Sequence, residues 1–230
     1  MNVGKINKIN LNEKTAYLAG LIIGDGNISN STKSKQNKSP DYRITIELID
    51  KEYLLYVASL IKSIIKTKSK VVKRKKKKGK QEIYYFQFRN KSFYYFLTRD
   101  LIIPAGNKCS TVIVPEKIFS SISLQSFFLG GLFEADGGIR GKTIGYTSSS
   151  NQLINGISRI LKNLKIIHNK ECWKNNKYNR QYYGLKISKK STDKFLNEVP
   201  IMSIKKRNKV FCHVDVPEWS NGMVNFKKIL

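Results

Sequence analysis

The feature that most constrains how this chain can fold is an internal repeat of ten residues. Residues 17–26 read YLAGLIIGDG and residues 128–137 read FLGGLFEADG, so the second copy lies 111 positions after the first. Both copies have apolar residues at helical spacing and small residues four positions apart, which are Gly20 and Gly24, and Gly131 and Ala135. Because residues i and i+4 share one face of a helix, these small side chains allow two helix backbones to approach closely. We therefore expect two helices that pack against each other.

The segments after the two copies have the same predicted order of strands and helices. In the first half, residues 42–49 alternate like a strand, Asp50 can cap a helix, and residues 68–73 and 81–89 read as further strands. The matching segments of the second half are residues 142–148, a helix over 153–164 with Ser150 as its cap, and strands at 170–173 and 182–187. Each half is therefore predicted to be one unit of mixed helices and strands.

A linker is expected between the halves. Pro104, Gly106 and Pro115 interrupt regular structure there. We place the boundary near residue 115, which gives an N-terminal half of residues 1–114 and a C-terminal half of residues 115–230. The last residues, 200–230, have no counterpart in the first half and read as basic and irregular.

Each copy of the repeat ends in an Asp-Gly pair. If the two helices pair about a pseudo-twofold axis, Asp25 and Asp136 come together, and two unpaired carboxylates repel each other. A divalent cation such as Mg²⁺ removes this repulsion and prefers oxygen ligands. Three cysteines without a C-x-x-C spacing and two isolated histidines do not suggest a zinc site. A metal held here can activate water for attack on a phosphodiester, so the pair predicts phosphodiester hydrolysis.

The net charge points to a polyanionic partner. Lys and Arg number 43 against 16 Asp and Glu, which gives +27 at pH 7. Neutralising many phosphates releases counterions and drives nucleic-acid binding, with a membrane surface as the weaker alternative. The sequence contains no signal-peptide pattern and no apolar run near the roughly 18 residues of a membrane span, so we expect an intracellular protein that is not secreted.

The two copies, YLAGLIIGDG and FLGGLFEADG, resemble the motif that names the LAGLIDADG homing endonucleases, in the single-chain form with two motifs. The resemblance implies an α+β fold: a tandem pseudo-twofold repeat of αββαββα units, with paired central helices and two saddle-like antiparallel sheets that grip double-stranded DNA. It also implies a monomer that cuts a long asymmetric site and leaves 3′ overhangs. In such a protein Mg²⁺ is the cofactor, and Mn²⁺ or Ca²⁺ can replace it for binding.

The resemblance also assigns residues to the active site. It implies Asp25 and Asp136 as catalytic metal ligands, together with the backbone carbonyls of Gly24 and Ala135. A basic residue near each scissile phosphate matches Lys91 and Lys190, with Lys189 as an alternative to the latter. The chain departs from some relatives where they carry Gln or Lys to organise water. It offers Glu47, Leu48 or Ile49 in the first half, and Ser148 or Ser149 in the second.

Polar residues of the predicted strands and turns are the candidates for DNA contact. The lysine-rich run at residues 73–78 could be a solvated hairpin tip or a targeting signal, but we favour phosphate contact. Alternation alone does not decide which face of a sheet each strand residue occupies. The candidates are Asn27, Ser29, Lys33, Lys35, Arg43, Thr45, Lys73, Arg74, Lys75, Lys76, Gln87, Arg89, Arg140, Lys142, Thr143, Tyr146, Lys174 and Lys186.

A rival hypothesis is a nucleic-acid-binding relative that cuts nothing and assists the splicing of its intron RNA, as a maturase. The presence of both motif aspartates favours the nuclease. The Lys-, Asn- and Ile-rich composition indicates AT-rich coding, and the resemblance implies an archaeal cytoplasm or an organelle as the location, between which the sequence does not decide.

Overall fold

The αββαββα order is present twice along the chain. A computed structural model describes residues 8–29, 41–74, 81–140, 142–177 and 179–213. The first half contains α1 (Glu13–Asp25), β1 (Gly26–Ile28), β2 (Arg43–Leu48), α2 (Lys51–Ile64), β3 (Val71–Lys73), β4 (Tyr84–Arg89) and α3 (Lys91–Tyr95). A π-helical turn, Phe96–Asp100, prolongs α3, and a 3-10 turn, Glu116–Ser120, leads into the second half.

The second half repeats these elements and adds one helix. It contains α4 (Ile122–Asp136), β5 (Gly137–Arg140), β6 (Thr143–Ser148), α5 (Asn151–Asn163), β7 (His168–Asn175), β8 (Arg180–Ile187), a 3-10 turn (Lys189–Ser191), α6 (Thr192–Glu198) and α7 (Ile204–His213). The predicted α+β repeat is confirmed. The expectation that the chain is irregular from residue 200 is wrong, because α7 lies there.

Each half forms one four-stranded sheet in which every neighbouring pair is antiparallel. The orders are β1-β2-β4-β3 and β5-β6-β8-β7. Along β2, Ile44, Ile46 and Leu48 are buried while the residues between them are half-exposed. Because successive side chains of a strand point to opposite faces, one face of the sheet packs on the helices and the other is open. The hydrophobic core therefore lies between the sheets and the helices.

The two repeat helices pack backbone to backbone, as the small residues predict. A Cβ atom on Gly20 would lie 2.1 Å from the carbonyl oxygen of Phe128, and one on Gly131 would lie 1.8 Å from that of Tyr17. Both distances are well inside van der Waals contact, so only glycine fits at these two crossings. The helices α1 and α4 thus form the centre of the molecule.

Side-chain caps start the helices that follow each sheet's second strand. The carboxylate of Asp50 accepts from the backbone N–H of Tyr53, and the hydroxyl of Ser150 accepts from that of Leu153. These caps satisfy backbone donors that have no partner inside the helix. The Ser150 hydroxyl also donates to the carbonyl oxygen of Val112 at 2.6 Å, which ties the linker to the second half.

Within the described ranges, no helix combines the length and apolar character that a bilayer crossing requires.

The close crossing predicts that a single added methyl group at Gly131 destabilises the fold. We expect Gly131→Ala to lower the free energy of unfolding by about 3 kcal/mol, because the methyl group meets backbone that cannot move aside. The matched control is Gly138→Ala, since a Cβ there would have no neighbour within 4 Å. Urea denaturation of both variants measures the difference, and equal midpoints would contradict the packing argument.

Candidate metal and nucleic-acid site

The two motif aspartates end the two central helices at the same place. Asp25 is the last residue of α1 and Asp136 the last residue of α4. A Cβ atom on Gly24 would lie 2.2 Å from the Cβ of Ala135 and 3.1 Å from Oδ2 of Asp136, so the last turns of the helices touch. Both aspartates are nevertheless open to solvent on one side. The two helix ends therefore meet as expected, and the two carboxyls lie close enough for the charge of Asp136 to act on Asp25.

The surroundings of the aspartates favour their neutral forms. Burial, and then the charge of Asp136, raises the pKa of Asp25 to about 6. Burial likewise raises the pKa of Asp136, while the positive charges of Lys108 and Lys206 lower it. The open side of each carboxylate admits water, so the repulsion is partly screened. The two carboxyls therefore meet at the helix ends, where burial disfavours their ionised forms and the two lysines partly offset this effect.

The donor set at this point fits a hard divalent cation. It offers two carboxylates and, at Gly24 and Ala135, carbonyls of the last helical turn, which have no partner within the helix. Mg²⁺, Mn²⁺ and Ca²⁺ accept such oxygen ligands and complete their coordination with water or phosphate. The part of the chain that the structure describes has no group of three His, Cys, Asp or Glu side chains suited to a metal. A cation here would therefore depend on these few oxygens and on its substrate.

Two lysines that the sequence analysis did not single out lie beside the aspartates. The ammonium group of Lys108 donates to the carbonyl oxygens of Ile22, Ile23 and Gly26, each at 2.6 Å. Lys108 is only 8% exposed, and this burial lowers its pKa to about 8. All three of its N–H donors are used, so it is a fixed positive charge at the end of α1.

Lys206 occupies the matching place at the end of α4. Its ammonium group donates to the carbonyl oxygens of Phe133 and, at 2.8 Å, Glu134. Burial lowers the pKa of Lys206, an effect that the charges of Glu134, Asp25 and Asp136 oppose. Cations near a helix C-terminus interact favourably with the helix dipole. The two lysines thus repeat the pseudo-symmetry of the two aspartates.

The structure does not bring Lys91 to the aspartates. Gly26, which follows Asp25, lies in the same row of the sheet as Ile46 and Phe86. Arg89, the last residue of β4, follows Phe86 by three residues and so lies about 10 Å along the sheet from this row, and Lys91 lies beyond it at the start of α3. Its ammonium group instead lies 6.0 Å from the ring centres of Tyr42 and Tyr95.

Lys190 has the corresponding position in the second half and likewise lies away from the aspartates. Gly137, Tyr146 and Leu185 form the row beside Asp136, and Lys190 follows Leu185 by five residues. Lys189 and Lys190 are exposed in the 3-10 turn after β8. The turn between the last strand and the last helix lies at the far end of each sheet, which is why both assignments fail.

The open face of the first sheet carries five predicted DNA contacts. Register pairs Arg43 with Arg89 and Thr45 with both Gln87 and Asn27, so all five side chains lie on the face away from the core. They are half-exposed or exposed. A concavity of about 680 Å³ lies on this face, lined by Asn27, Arg43, Thr45 and Gln87 among others.

Acidic side chains hold the arginines of this face. The Asp41 carboxylate lies 3.3 Å from Nε of Arg43 and accepts from Nε of Arg89 at 2.8 Å. Glu47, a position considered for organising water, is paired with Arg74. These ion pairs orient the guanidinium groups, whose remaining N–H groups can then make bidentate hydrogen bonds to a partner.

The other predicted contacts of the first half are in less regular positions. The Ser29 hydroxyl donates to Asp41 at 3.4 Å, and Lys73 forms an exposed ion pair with Glu82 at 2.6 Å. Several predicted contacts lie outside the described residues: Lys33, Lys35, Lys75, Lys76 and the side chain of Arg140.

The open face of the second sheet carries Thr143 and Lys186, with Lys142 exposed in the turn before β6. It also carries an aromatic pair that the sequence analysis missed. The rings of Trp173 and Tyr182 stack with their centres 6.1 Å apart. The strand register places both rings on the same open face as Lys186. The sequence of β7 has no hydrophobic periodicity from which this could be predicted.

Two predicted contacts of the second half are wrong. Tyr146 is 1% exposed, and its hydroxyl donates to the carbonyl oxygen of Leu129 inside the core. Lys174 alternates with Lys170, whose ammonium group donates to Asn155 of α5 at 2.7 Å. Lys174 therefore lies on the helix side of the sheet, away from the open face.

A groove of about 710 Å³ connects Asp136 and the end of α1 to the second sheet. Its lining includes Gly24, Asp136 and Lys108 near the helix ends, and Arg180 and Tyr182 of β8. Ser148 and Ser149 also line it, but both form bonds within the protein. Ser149 donates to the carbonyl oxygen of Cys109, and Ser148 accepts from the N–H of Ser150.

Comparison with known proteins identifies the fold and the family. The sequence profile of the LAGLIDADG DNA endonuclease family matches residues 15–195. No curated protein sequence matches the chain significantly. Among solved structures, I-DmoI in complex with DNA and Mn is 26% identical with a TM-score of 0.64, covering 83% of this chain and 97% of its own.

Two more distant structures share the fold alone. I-WcaI bound to its DNA recognition sequence is 18% identical with a TM-score of 0.58, covering 89% of this chain and 88% of its own. The N-terminal LAGLIDADG domain of DUF199/WhiA is 18% identical with a TM-score of 0.53, covering 91% and 90%. Since the profile spans most of the sequence and both motifs end in the paired aspartates, this chain belongs to the LAGLIDADG DNA endonuclease family.

Proposed function

We propose that this protein is a monomeric homing endonuclease that cuts both strands of a long, asymmetric DNA site by metal-dependent hydrolysis and leaves 3′ overhangs. The observation that carries the proposal is the meeting of Asp25 and Asp136 between two open, polar sheet faces. Each half supplies one carboxylate and one sheet, so one chain holds the machinery for two strands. The proposal is further supported by I-DmoI, which was solved with DNA and Mn, Mg or Ca.

In this proposal the cation is held by Asp25, Asp136 and the carbonyls of Gly24 and Ala135. Mg²⁺ is the cofactor, and Mn²⁺ or Ca²⁺ can replace it for binding. A bound divalent cation supplies Lewis-acid stabilisation of the phosphate and a water of lowered pKa. The residues of the chain hold it where the two helices end, at the level of the sheets on which DNA would lie.

In this proposal, Lys108 and Lys206 are the lysines that act on the scissile phosphates. Their ammonium groups lie at the ends of the motif helices and influence the pKa of both aspartates. Attack on a phosphodiester adds negative charge to its oxygens, and fixed positive charges stabilise that charge. Lys108 acts through its field because its three donors are used, while Lys206 has one N–H beyond its two carbonyl partners among the described residues.

The sheets supply recognition of the duplex. Arg43, Thr45, Gln87 and Arg89 on the first sheet, and Thr143 and Lys186 on the second, would face base edges in the major groove. The Trp173–Tyr182 pair would make apolar contacts there, as aromatic side chains do with thymine methyl groups. The net charge of +27 supports tight, salt-sensitive binding to the phosphates.

Removing either carboxylate should separate cutting from binding. We expect Asp25→Asn and Asp136→Asn to slow cleavage at least about 100-fold, because a lost metal ligand costs more than a lost outer partner. DNA affinity in Ca²⁺ should change only a few-fold. The assay is end mapping on plasmid that carries the uninterrupted insertion locus of this gene, with Mg²⁺ or with EDTA. Asp100→Asn, an exposed carboxylate after α3, is the matched control. Cutting by either variant at the wild-type rate would refute the assignment.

The lysine assignment predicts a contrast between buried and exposed positions. We expect Lys108→Met and Lys206→Met to lower the single-turnover rate about 100-fold, because each removes a positive charge that stabilises the charge developing on the phosphate. Lys91→Met should retain the wild-type rate within about threefold. Thermal melts show whether each variant is folded under the assay conditions. A large loss for Lys91→Met with normal rates for the other two would reverse the assignment.

The raised pKa of Asp25 predicts how the metal-free protein responds to pH. The folded carboxyl, with a pKa of about 6, binds its proton more tightly than an unfolded one near 3.9. Its contribution to the free energy of unfolding therefore falls as pH rises from about 4 to about 6. In EDTA, Asp25→Asn should remove this slope and raise the Tm at pH 7. Parallel Tm profiles for wild type and variant across that window would contradict the shift.

A further inference from the structure

We propose that Glu134 is a positioning residue that fixes the start of α7 and thereby places Lys206, so that it controls the cutting of one DNA strand. The inference rests on the proposed function. Glu134 lies in the second motif helix two residues before Asp136 and is 6% exposed. Its side chain points away from the open site, into the core.

The carboxylate of Glu134 binds the backbone where the last described helix begins. Its Oε1 accepts from the N–H of Met202 at 2.5 Å and from that of Ser203 at 2.8 Å. The hydroxyl of Tyr17 donates to the same oxygen at 3.5 Å. Free N–H groups at a helix N-terminus bind anions, so a carboxylate at this place holds the helix in position and in register.

The contacts of Glu134 with Met202 and Ser203 also determine the position of Lys206. Lys206 lies one helical turn after Ser203 and donates to the backbone carbonyl of Glu134 itself. One residue thus holds α7 twice: its side chain binds the start of the helix, and its carbonyl receives the lysine. The hydroxyl of Ser203 donates to Asp50 at 3.1 Å, which joins this helix start to the first half.

The first half holds its lysine differently. The position 111 residues before Glu134 is Ile23, which carries no acceptor in its side chain. Lys108 lies in the linker outside any helix, and three carbonyl oxygens hold its ammonium group. A change at Glu134 should therefore disturb Lys206 and leave Lys108 in place.

The environment of the second carboxylate oxygen, Oε2, indicates that Glu134 does not serve to stabilise the fold. Among the described residues, Oε2 has no hydrogen-bond partner although it is fully buried. An unpaired buried carboxylate oxygen costs free energy, and a well-packed apolar side chain of similar size often costs less. Glu134 therefore serves to bind the start of α7, because an apolar residue at this position could not accept hydrogen bonds from Met202 and Ser203.

The test compares Glu134→Leu with Glu134→Gln on supercoiled plasmid labelled on either strand. Leu fills a similar volume without an acceptor, whereas Gln keeps one oxygen for the two N–H groups. We expect Glu134→Leu to slow one strand at least tenfold, leave the other within threefold, and accumulate nicked plasmid. Glu134→Gln should cut both strands nearly as wild type does. Lys206→Met should slow the same strand, and Glu134→Leu added to it should slow that strand no further.

The matched control is Tyr53→Phe. It removes a hydroxyl that bonds to Tyr17 at 2.7 Å in the same buried cluster, but leaves both bonds from Glu134 to α7. Both strands should be cut at unchanged relative rates. Equal slowing of both strands by Glu134→Leu, or the same strand bias in Tyr53→Phe, would overturn the proposal.

Amide hydrogen exchange provides a readout that needs no cleavage. Glu134→Leu should speed exchange at Met202, Ser203 and the first turn of α7, while Glu134→Gln should not. If the wild-type protein cuts neither strand, the proposed function fails and exchange still decides whether Glu134 holds α7. Unchanged exchange in Glu134→Leu would refute the positioning role by itself.

Discussion

The backbone contact between α1 and α4 is the interaction on which the rest of the structure depends. Gly20 and Gly131 bring the two helices so close that each meets a carbonyl oxygen of the other. This distance sets how near Asp25 and Asp136 lie, and it fixes the position of the two sheets that continue from the helix ends. A larger side chain at either glycine would separate the halves and the carboxylates together.

The site combines two unfavourable charges with two compensating ones. Burial and mutual repulsion disfavour the ionised aspartates, and burial disfavours the lysine ammonium groups. The lysines are stabilised by helix-end carbonyls rather than by direct pairing with the aspartates, so the carboxylate oxygens remain available for a cation. A direct ion pair would have stabilised the metal-free protein and occupied the ligands. This arrangement fits a protein whose site is completed only when metal and substrate are bound.

Most of the fold could be predicted from the sequence, because it depends on periodic patterns. The repeated ten residues gave the paired helices, and alternation in residues such as Ile44 and Ile46 gave the buried face of β2. The site could be predicted only where it lies in the repeat. Lys108 and Lys206 come from a linker and a basic tail, where no spacing distinguishes them from other lysines. The predictions for Tyr146 and Lys174 were wrong because they required knowing which face of the second sheet is open. The sequence of β7, HNKECWKN, has too few apolar residues to indicate that face.

The linker belongs to both halves at once. It supplies Lys108 to the end of α1, and the N–H of its Gly106 donates to the carbonyl oxygen of Ile28 in the first half. The φ of 82° at Gly106 suits glycine. A few residues later, its carbonyl oxygens at Cys109 and Val112 accept from Ser149 and Ser150 of the second half. A chimera that exchanges one half with a relative would therefore disrupt contacts of the linker wherever in the linker the two parents are joined. A chimera joined before residue 108 would combine one parent's aspartate with the other parent's lysine, and one joined after residue 112 would cap the second half with a foreign loop.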